Sequence, residues 1–292
     1  MLSPVVVGVD GSAESLAAAE WAAHEAMRRG RALRLLHARN WHPRQERAEI
    51  AYASERHLAR RVLREAEERV RAACPEVRVD DDQVEGPATA ALVKAADDAD
   101  LLVLGSRGLG RINGLLMGSV ALGVVAKATR PVVLVRADTA GEGEEAAGTD
   151  RRDVVLGVDV TEPCDEVIAF AFEAARLRHA RLRILHAWRA PDRLTLGPGE
   201  VGLVGDPQRA EEWLGFLSAV LQVWREKYPD VEVLQTVVEG KPAGALLKAA
   251  SGAELLVVGD RLTDRRGIPR TGPVTHAMIH RVGCPVVIVP HD

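Results

Sequence analysis

The stretch that decides the fold is Ala99-Asp-Leu-Leu-Val-Leu-Gly-Ser-Arg107, which returns 154 positions later as Ala253-Glu-Leu-Leu-Val-Val-Gly-Asp-Arg261. Three further segments return in the same order, shifted by 149 or 154 positions. They are Val5-Val-Val-Gly-Val-Asp10 with Val154-Val-Leu-Gly-Val-Asp159, Leu33-Arg-Leu-Leu-His-Ala38 with Leu182-Arg-Ile-Leu-His-Ala187, and Pro131-Val-Val-Leu-Val135 with Pro285-Val-Val-Ile-Val289. Ordered repetition along 292 residues indicates a duplicated domain.

A segment of different composition separates the two copies. Residues 138–151 are rich in Gly, Glu, Ala and Thr and contain almost nothing large and apolar, so they can add little to a hydrophobic core. We therefore predict a linker at 138–151 between a first domain at 1–137 and a second domain at 152–292.

Each copy alternates short Val, Leu and Ile runs with longer segments of helical period. This alternation predicts an α/β fold, with two Rossmann-like domains that each contain a five-stranded parallel sheet with helices on both faces. In the first copy we expect strands at 4–10, 32–38, 77–84, 100–105 and 131–136, and helices at 13–29, 46–73, 87–98 and 117–129. In the second copy we expect helices at 163–179, 207–227, 241–251 and 272–283.

The ends of the first helix and the position of a ligand follow from the same elements. Ser12 is a predicted N-cap, and Gly30 is a predicted left-handed residue that ends the helix. In a doubly wound sheet, ligands bind beyond the carboxyl ends of the strands where the strand order reverses, which places a site next to strands one and four.

Composition excludes several classes of partner. The net charge is -4, and basic residues are interspersed with acidic ones, so neither nucleic acid nor an anionic membrane is an expected partner. The N-terminus lacks the pattern of a secretory signal, and the longest apolar run, 112–126, is broken by glycines and too short to span a bilayer. Together with three widely separated cysteines, these features predict a cytoplasmic protein with reduced thiols.

The loop after the fourth predicted strand carries the strongest functional signal. It reads Gly105-Ser-Arg-Gly108-Leu-Gly110-Arg-Ile-Asn-Gly114-Leu-Leu-Met-Gly118-Ser119-Val120. Glycines let backbone amides approach an anion, and the N-terminus of the next helix adds unpaired N–H groups, so the loop has the properties of a phosphate cradle. It is not a Walker A loop, which would end in Lys-Ser/Thr, and its glycines do not have the spacing of the dinucleotide fingerprint.

The spacing of this loop resembles the ATP-binding signature of the universal stress protein family, whose fold is that of the adenine nucleotide alpha hydrolases. The matching pattern is Gly105, two residues, Gly108, nine residues and then Gly118-Ser119. The family also places an aspartate at the end of the first strand, where this chain has Asp10. The resemblance covers both copies, outside the linker.

The resemblance implies ATP, with or without Mg²⁺, as the ligand of the first domain. It implies that Asp10 accepts hydrogen bonds from the ribose or adenine and that the backbone near Ala38 pairs with the adenine edge. It further implies that the phosphates are held largely through main-chain amides by Gly105, Gly108, Gly118, Ser119 and Val120. Arg107 either neutralises phosphate charge or is a solvated loop residue.

The second copy departs from this signature. Leu262 stands where the second glycine is expected, and Pro273 replaces the serine. Proline removes a donor, leucine disfavours a positive φ, and Asp260 with Asp264 adds negative charge. We therefore predict weak or absent ATP binding in the second domain, with a role in stability and in pairing with the first domain through residues 131–136 and 285–289. A homodimer of this chain is a further candidate assembly.

Three functional classes follow from these observations. The leading one is a cytoplasmic ATP-binding protein of the stress response that acts through conformation or partners; the others are a slow ATPase and a module that binds no nucleotide. An ATPase needs an oriented base or a metal-binding acid near the γ-phosphate, and the first loop offers none. His37 and His186 lack triad partners, and His276 with His280 lacks a third metal ligand, so no catalytic residue and no metal site are predicted.

Overall fold

The computed structural model describes residues 2–39, 48–106, 118–137, 153–188, 207–262 and 271–292. The predicted linker at 138–151 lies outside these ranges. The chain divides into two compact units, centred on the first and the second half of the sequence. Within the described ranges, no helix is both long enough and apolar enough to cross a membrane.

The first unit contains a parallel sheet with one reversal of strand order. Its strands are β1 (Val5–Gly8), β2 (Leu33–Arg39), β3 (Val79–Glu85), β4 (Leu101–Gly105) and β5 (Val132–Val135), in the spatial order β3-β2-β1-β4-β5. Every pairing among them is parallel. The helices are α1 (Ala13–Arg29), α2 (Ala48–Ala73), α3 (Ala88–Asp97) and α4 (Ser119–Val125). The predicted α/β fold is confirmed, and the order reverses at β1 and β4 as expected.

Burial and capping explain why these segments adopt their structures. The side chains of β4 and β5 are almost all buried, as expected for strands covered on both faces. The predicted caps of α1 are confirmed, because the Ser12 side chain accepts the Ser15 N–H and Gly30 has a left-handed conformation with φ 60°. Between these caps, α1 turns a row of buried alanines towards the sheet.

The second unit repeats the arrangement. Its strands are β6 (Val154–Gly157), β7 (Leu182–Trp188), β8 (Val233–Glu239), β9 (Leu255–Arg261) and β10 (Val286–His291), in the order β8-β7-β6-β9-β10. Its helices are α5 (Asp165–Arg178), α6 (Pro207–Lys227), α7 (Pro242–Ala249) and α8 (Pro273–Arg281). Both β9 and β10 extend two residues further than their counterparts β4 and β5.

The largest difference from the predicted elements is in α4. This helix spans Ser119–Val125, whereas the sequence predicts 117–129. Gly118 is its N-cap in an extended conformation, and Ala126 is its C-cap. Proline disfavours a helical conformation only in the residue before it, here Arg130, so Pro131 does not account for the earlier end of the helix at Val125.

Candidate functional site

Three strands of the first unit end at one common edge. In the parallel register, Gly8 pairs with Leu36 on one side and with Leu104 on the other. Asp10, Ala38 and Ser106 each lie two residues beyond this row. The sheet therefore brings two of the predicted site residues, Asp10 and Ala38, to the same edge as the start of the glycine-rich loop.

A turn built by its own side chain holds Asp10. Its Oδ1 accepts the Ser12 N–H at 3.0 Å and the Ser12 hydroxyl at 2.6 Å, while the Ser12 Oγ accepts the Ser15 N–H at 3.2 Å. Gly11 lies between them with a φ of +84°, a conformation that favours glycine. The carboxylate is half-buried and fixed at the N-terminus of α1, where the helix dipole favours a negative charge.

His37 has a structural contact at the same edge. Its Nδ1 lies 2.7 Å from the carbonyl oxygen of Val9, so the Nδ1–H donates to the backbone that follows β1. His186 repeats this contact in the second unit, with its Nδ1 3.1 Å from the Val158 carbonyl oxygen. In both units the histidine links the end of the second strand to the end of the first.

Gly105 ends β4 in close contact with α1. A methyl group on Gly105 would stand 2.7 Å from the backbone carbon of Glu14 and 2.9 Å from the Ser15 nitrogen. Backbone atoms cannot yield as a flexible side chain can, so no larger residue fits here. Packing against α1 is thus one demonstrated reason for glycine at this position.

Ser106 was not among the predicted site residues, yet it is an unusual group. Its side chain is buried, and its Oγ has no hydrogen-bond partner within the described ranges. Both of its backbone groups are engaged, since its N–H donates to the Val135 carbonyl at 2.7 Å and its carbonyl accepts the Gly118 N–H at 3.0 Å. The sequence signal for it was available, because Ser106 is the position in the repeat where the second copy has Asp260.

The described part of the loop consists of its two ends. Gly118 is the N-cap of α4, and its amide is already bonded to Ser106, so it contributes the start of the helix rather than a free donor. Ser119 and Val120 open α4 and are exposed. The amides of a first helical turn have no acceptor within the helix, so those of Ser119 and Val120 are candidate donors to a ligand. Arg107 and Gly108 lie outside the described residues.

The second unit builds the same turn but a different loop end. The Asp159 Oδ1 accepts the Thr161 N–H at 3.0 Å and the Thr161 hydroxyl at 2.7 Å, as Asp10 does with Ser12. Pro273 stands at the first position of α8, where it removes an N–H group, and Leu262 is exposed. Asp264 lies outside the described residues.

Asp260 is the buried acid of this second loop end. It is only 8% exposed, and its Oδ1 accepts the Gly272 N–H at 2.9 Å. Burial raises the pKa of Asp260 above its ordinary value of 3.8, while the Gly272 N–H, the Thr275 hydroxyl and the positive potential of His291 act in the opposite direction.

Groups suited to a metal ion are absent from the described ranges, where no cluster of three or more His, Cys, Asp or Glu residues occurs. His276 and His280 do lie together on α8, with ring centroids 4.4 Å apart. Two imidazoles leave at least one ligand short of the three protein ligands of a catalytic zinc site.

Two doubly wound α/β units in tandem, each with an aspartate turn after its first strand, define the chain as a duplicated Rossmann-like protein. The model of the universal stress protein family matches residues 1–136 and 150–290. The chain belongs to the universal stress protein family.

Individual proteins show the same relationship along the whole chain. A universal stress protein of Mycolicibacterium smegmatis is 31% identical over 265 residues, covering 87% of this chain and 86% of that protein. One from Mycobacterium tuberculosis is 32% identical over 294 residues, covering 97% and 96%. The crystal structure of a universal stress protein from Archaeoglobus fulgidus matches 99% of this chain and 98% of its own with a TM-score of 0.73 and 18% identity, which supports the fold.

Proposed function

We propose that the first domain, residues 1–137, binds ATP and that the chain is a cytoplasmic regulator of the stress response, acting through conformation or partners rather than through turnover. In this proposal the second domain, residues 152–292, binds ATP weakly or not at all.

The observation that carries the proposal is the common edge formed by Asp10, Ala38 and Ser106. A carboxylate, the backbone at the end of β2 and the start of a glycine-rich loop lie two residues beyond one registered row of the sheet. A nucleoside needs hydrogen-bond acceptors for its ribose hydroxyls and a backbone edge for its base, and its phosphates need N–H donors. Along the edge, the Ala38 backbone, the Asp10 carboxylate and the Ser106 hydroxyl follow one another in the order of base, ribose and phosphate, because β1 lies between β2 and β4.

An unsatisfied group supports the fit of a phosphate at this edge. The buried Ser106 Oγ lacks a partner within the described ranges, and a buried hydroxyl without one costs about 1–3 kcal/mol. A phosphate oxygen at the loop would accept a hydrogen bond from the Ser106 hydroxyl. The first-turn amides of α4, at Ser119 and Val120, offer further donors on the same side.

Each residue then has a defined task. Asp10 orients the ribose or adenine, and the backbone of Ala38 recognises the base. The amides of the glycine-rich loop, including those of Gly108, Ser119 and Val120, bind the phosphates, with Arg107 as an additional cation. ATP brings the charged triphosphate to this loop, with Mg²⁺ as its counterion. The described part of the site places no carboxylate or imidazole in a position to act as a base on a γ-phosphate, which favours binding over hydrolysis.

Calorimetric titration of ATP with Mg²⁺ into the intact protein tests the proposal. We expect one ATP per chain, and we expect Gly108→Ala to abolish the binding. Gly244→Ala is a suitable control, because a methyl group there meets nothing within 4 Å. The absence of binding, or two equal sites, would refute the assignment of the ligand to the first domain.

Gly259→Ala is not a usable control in the second domain. A methyl group at Gly259 would stand 3.0 Å from the His291 ring and 3.1 Å from Val167. The substitution would therefore disturb packing whether or not the domain binds a ligand. Phosphate release measured with the intact protein separates binding from hydrolysis, and steady release at the rate of an ordinary enzyme would favour the ATPase.

A further inference from the structure

The two units differ most sharply in what lies at the N-terminus of the helix after the fourth strand. In the first unit the Gly118 N–H donates to a neutral acceptor, the backbone carbonyl of Ser106, at 3.0 Å. In the second unit the equivalent Gly272 N–H donates to a carboxylate oxygen, Oδ1 of Asp260, at 2.9 Å. A neutral contact has been replaced by a charged one at the same point of the fold.

The Asp260 carboxylate is held in place by the elements around it. It is 8% exposed and lies in the two-residue extension of β9, twelve residues before Gly272. The same carboxylate lies within hydrogen-bond reach of the Thr275 hydroxyl, and that hydroxyl also lies 2.9 Å from the Gly259 carbonyl. The acid therefore faces the first turn of α8 rather than solvent.

Two neighbouring positions have also become larger in the second copy. With the shift of 154 positions, Thr275 stands where the first copy has Ala121, and His291 stands where it has Ala137. The His291 ring reaches to 3.0 Å from the place a methyl group would take on Gly259. Together with Asp260 in place of Ser106, three substitutions add bulk and polar groups to the space that follows the fourth strand.

The charge of Asp260 matches the electrostatics of α8. This helix has nine residues, and its N-terminal end carries a partial positive charge. Pro273 removes one N–H donor there, and the Gly272 N–H is taken by Asp260. An incoming phosphate would meet a negative charge already in place, with fewer donors left to bind it.

We propose that the Asp260 carboxylate is a built-in occupant of the anion position in the second domain, held at the N-terminus of α8 by the Gly272 amide, which in the first domain bonds the Ser106 carbonyl instead. This inference rests on the proposed function insofar as that function places phosphates at the equivalent position of the first domain. In this proposal the Asp260 side chain itself blocks phosphate binding in the second domain. The site is then specifically occupied and has not merely lost its binding residues.

The test compares two variants that differ only at Asp260. Leu262→Gly with Pro273→Ser restores the family residues at the other two altered positions, and the second variant adds Asp260→Ser. Calorimetric titration of ATP with Mg²⁺ measures the number of nucleotides bound per chain. We expect one more ATP per chain with Asp260→Ser than without it. Equal stoichiometry in the two variants, whether both gain the extra ATP or neither does, would overturn the proposal.

Asp260→Asn in the same background is the matched control. Asparagine keeps the shape and an acceptor for the Gly272 N–H, so we expect no additional ATP, and an additional one would contradict occupancy as the cause. The wild-type stoichiometry reports on the first domain separately. If the wild type binds no ATP but Asp260→Ser adds a site, the proposed function fails and this inference stands.

Discussion

Gly105 and Glu14 approach so closely that a methyl group on Gly105 would lie 2.7 Å from the Glu14 backbone carbon. This contact seats the N-terminal turn of α1 against the end of β4. The Asp10 turn and the start of the glycine-rich loop lie on either side of it. The geometry of the candidate site therefore depends on a glycine that the packing of the fold requires.

Gly105→Ala is expected to destabilise the protein by about 1–3 kcal/mol, because overpacking against rigid backbone forces a shift of α1 or β4. Denaturation by urea, followed by circular dichroism, measures the change in the free energy of unfolding. Gly215→Ala is the control: it lies inside α6 with nothing within 4 Å of the new methyl group. That variant should be as stable as the wild type or up to about 1 kcal/mol more stable. A neutral Gly105→Ala would show that the contact can relax.

Asp10→Asn is expected to weaken ATP binding by about ten- to a hundredfold, since a hydrogen bond to a charged group contributes about 1.5–3 kcal/mol. The asparagine oxygen can still accept the Ser12 N–H, so the turn should persist. Asp159→Asn makes the same change in the matching turn of the second unit, where Thr161 takes the place of Ser12. Calorimetry should show unchanged affinity for Asp159→Asn, and equal losses in both variants would argue against a single site.

Ser106→Asp transfers the residue of the second copy into the first. We expect ATP affinity to fall by about tenfold or more, because a carboxylate at this buried position meets the phosphates with like charge. Ser106→Ala is the comparison, since it removes only the hydroxyl and should cost less. Titration of both variants, with circular dichroism to confirm folding, decides the matter. Wild-type affinity in a folded Ser106→Asp would count against a phosphate near this residue.

The stability of the second unit is expected to depend on pH through Asp260. Because burial raises the pKa of Asp260 above 3.8, the folded protein keeps a proton that the unfolded chain has already released. The contribution of Asp260 to the free energy of unfolding therefore decreases as the pH rises from about 3.8 through the pKa of the folded state. Above that pKa the contribution has been lost completely. Lowering the pH restores this contribution to the free energy of unfolding.

Asp260→Asn removes this titration while keeping an acceptor for the Gly272 N–H. Urea denaturation of both proteins between about pH 4 and about pH 7 measures the free energy of unfolding. The value of the variant minus that of the wild type should increase as the pH rises and then become constant. A difference that shrinks with rising pH would mean that the charged contacts of Asp260 outweigh its burial.

Much of the architecture could be predicted from local patterns. The repeats at 149 and 154 positions indicated two copies. Alternating apolar runs and helical periods located the strands and helices, and the predicted bounds of helices α1 and α6 agree with the structure at both ends. Ser12 and Gly30 were identified as caps because capping depends on residues next to the helix end. The predicted end of α4 lies too far along the chain. Its C-cap is Ala126, and an alanine does not mark the end of a helix as a glycine does.

The sequence by itself determined the duplication, the parallel α/β class, the aspartate after the first strand and the spacing of the glycines, because these depend on residues close together along the chain. Only the tertiary structure decided that Ser106 is buried without a partner for its hydroxyl, that Gly105 is pressed against Glu14, and that the Asp260 carboxylate reaches the Gly272 amide. Those contacts join a strand end to a helix, and their distances follow from how the elements pack rather than from any local preference of the chain.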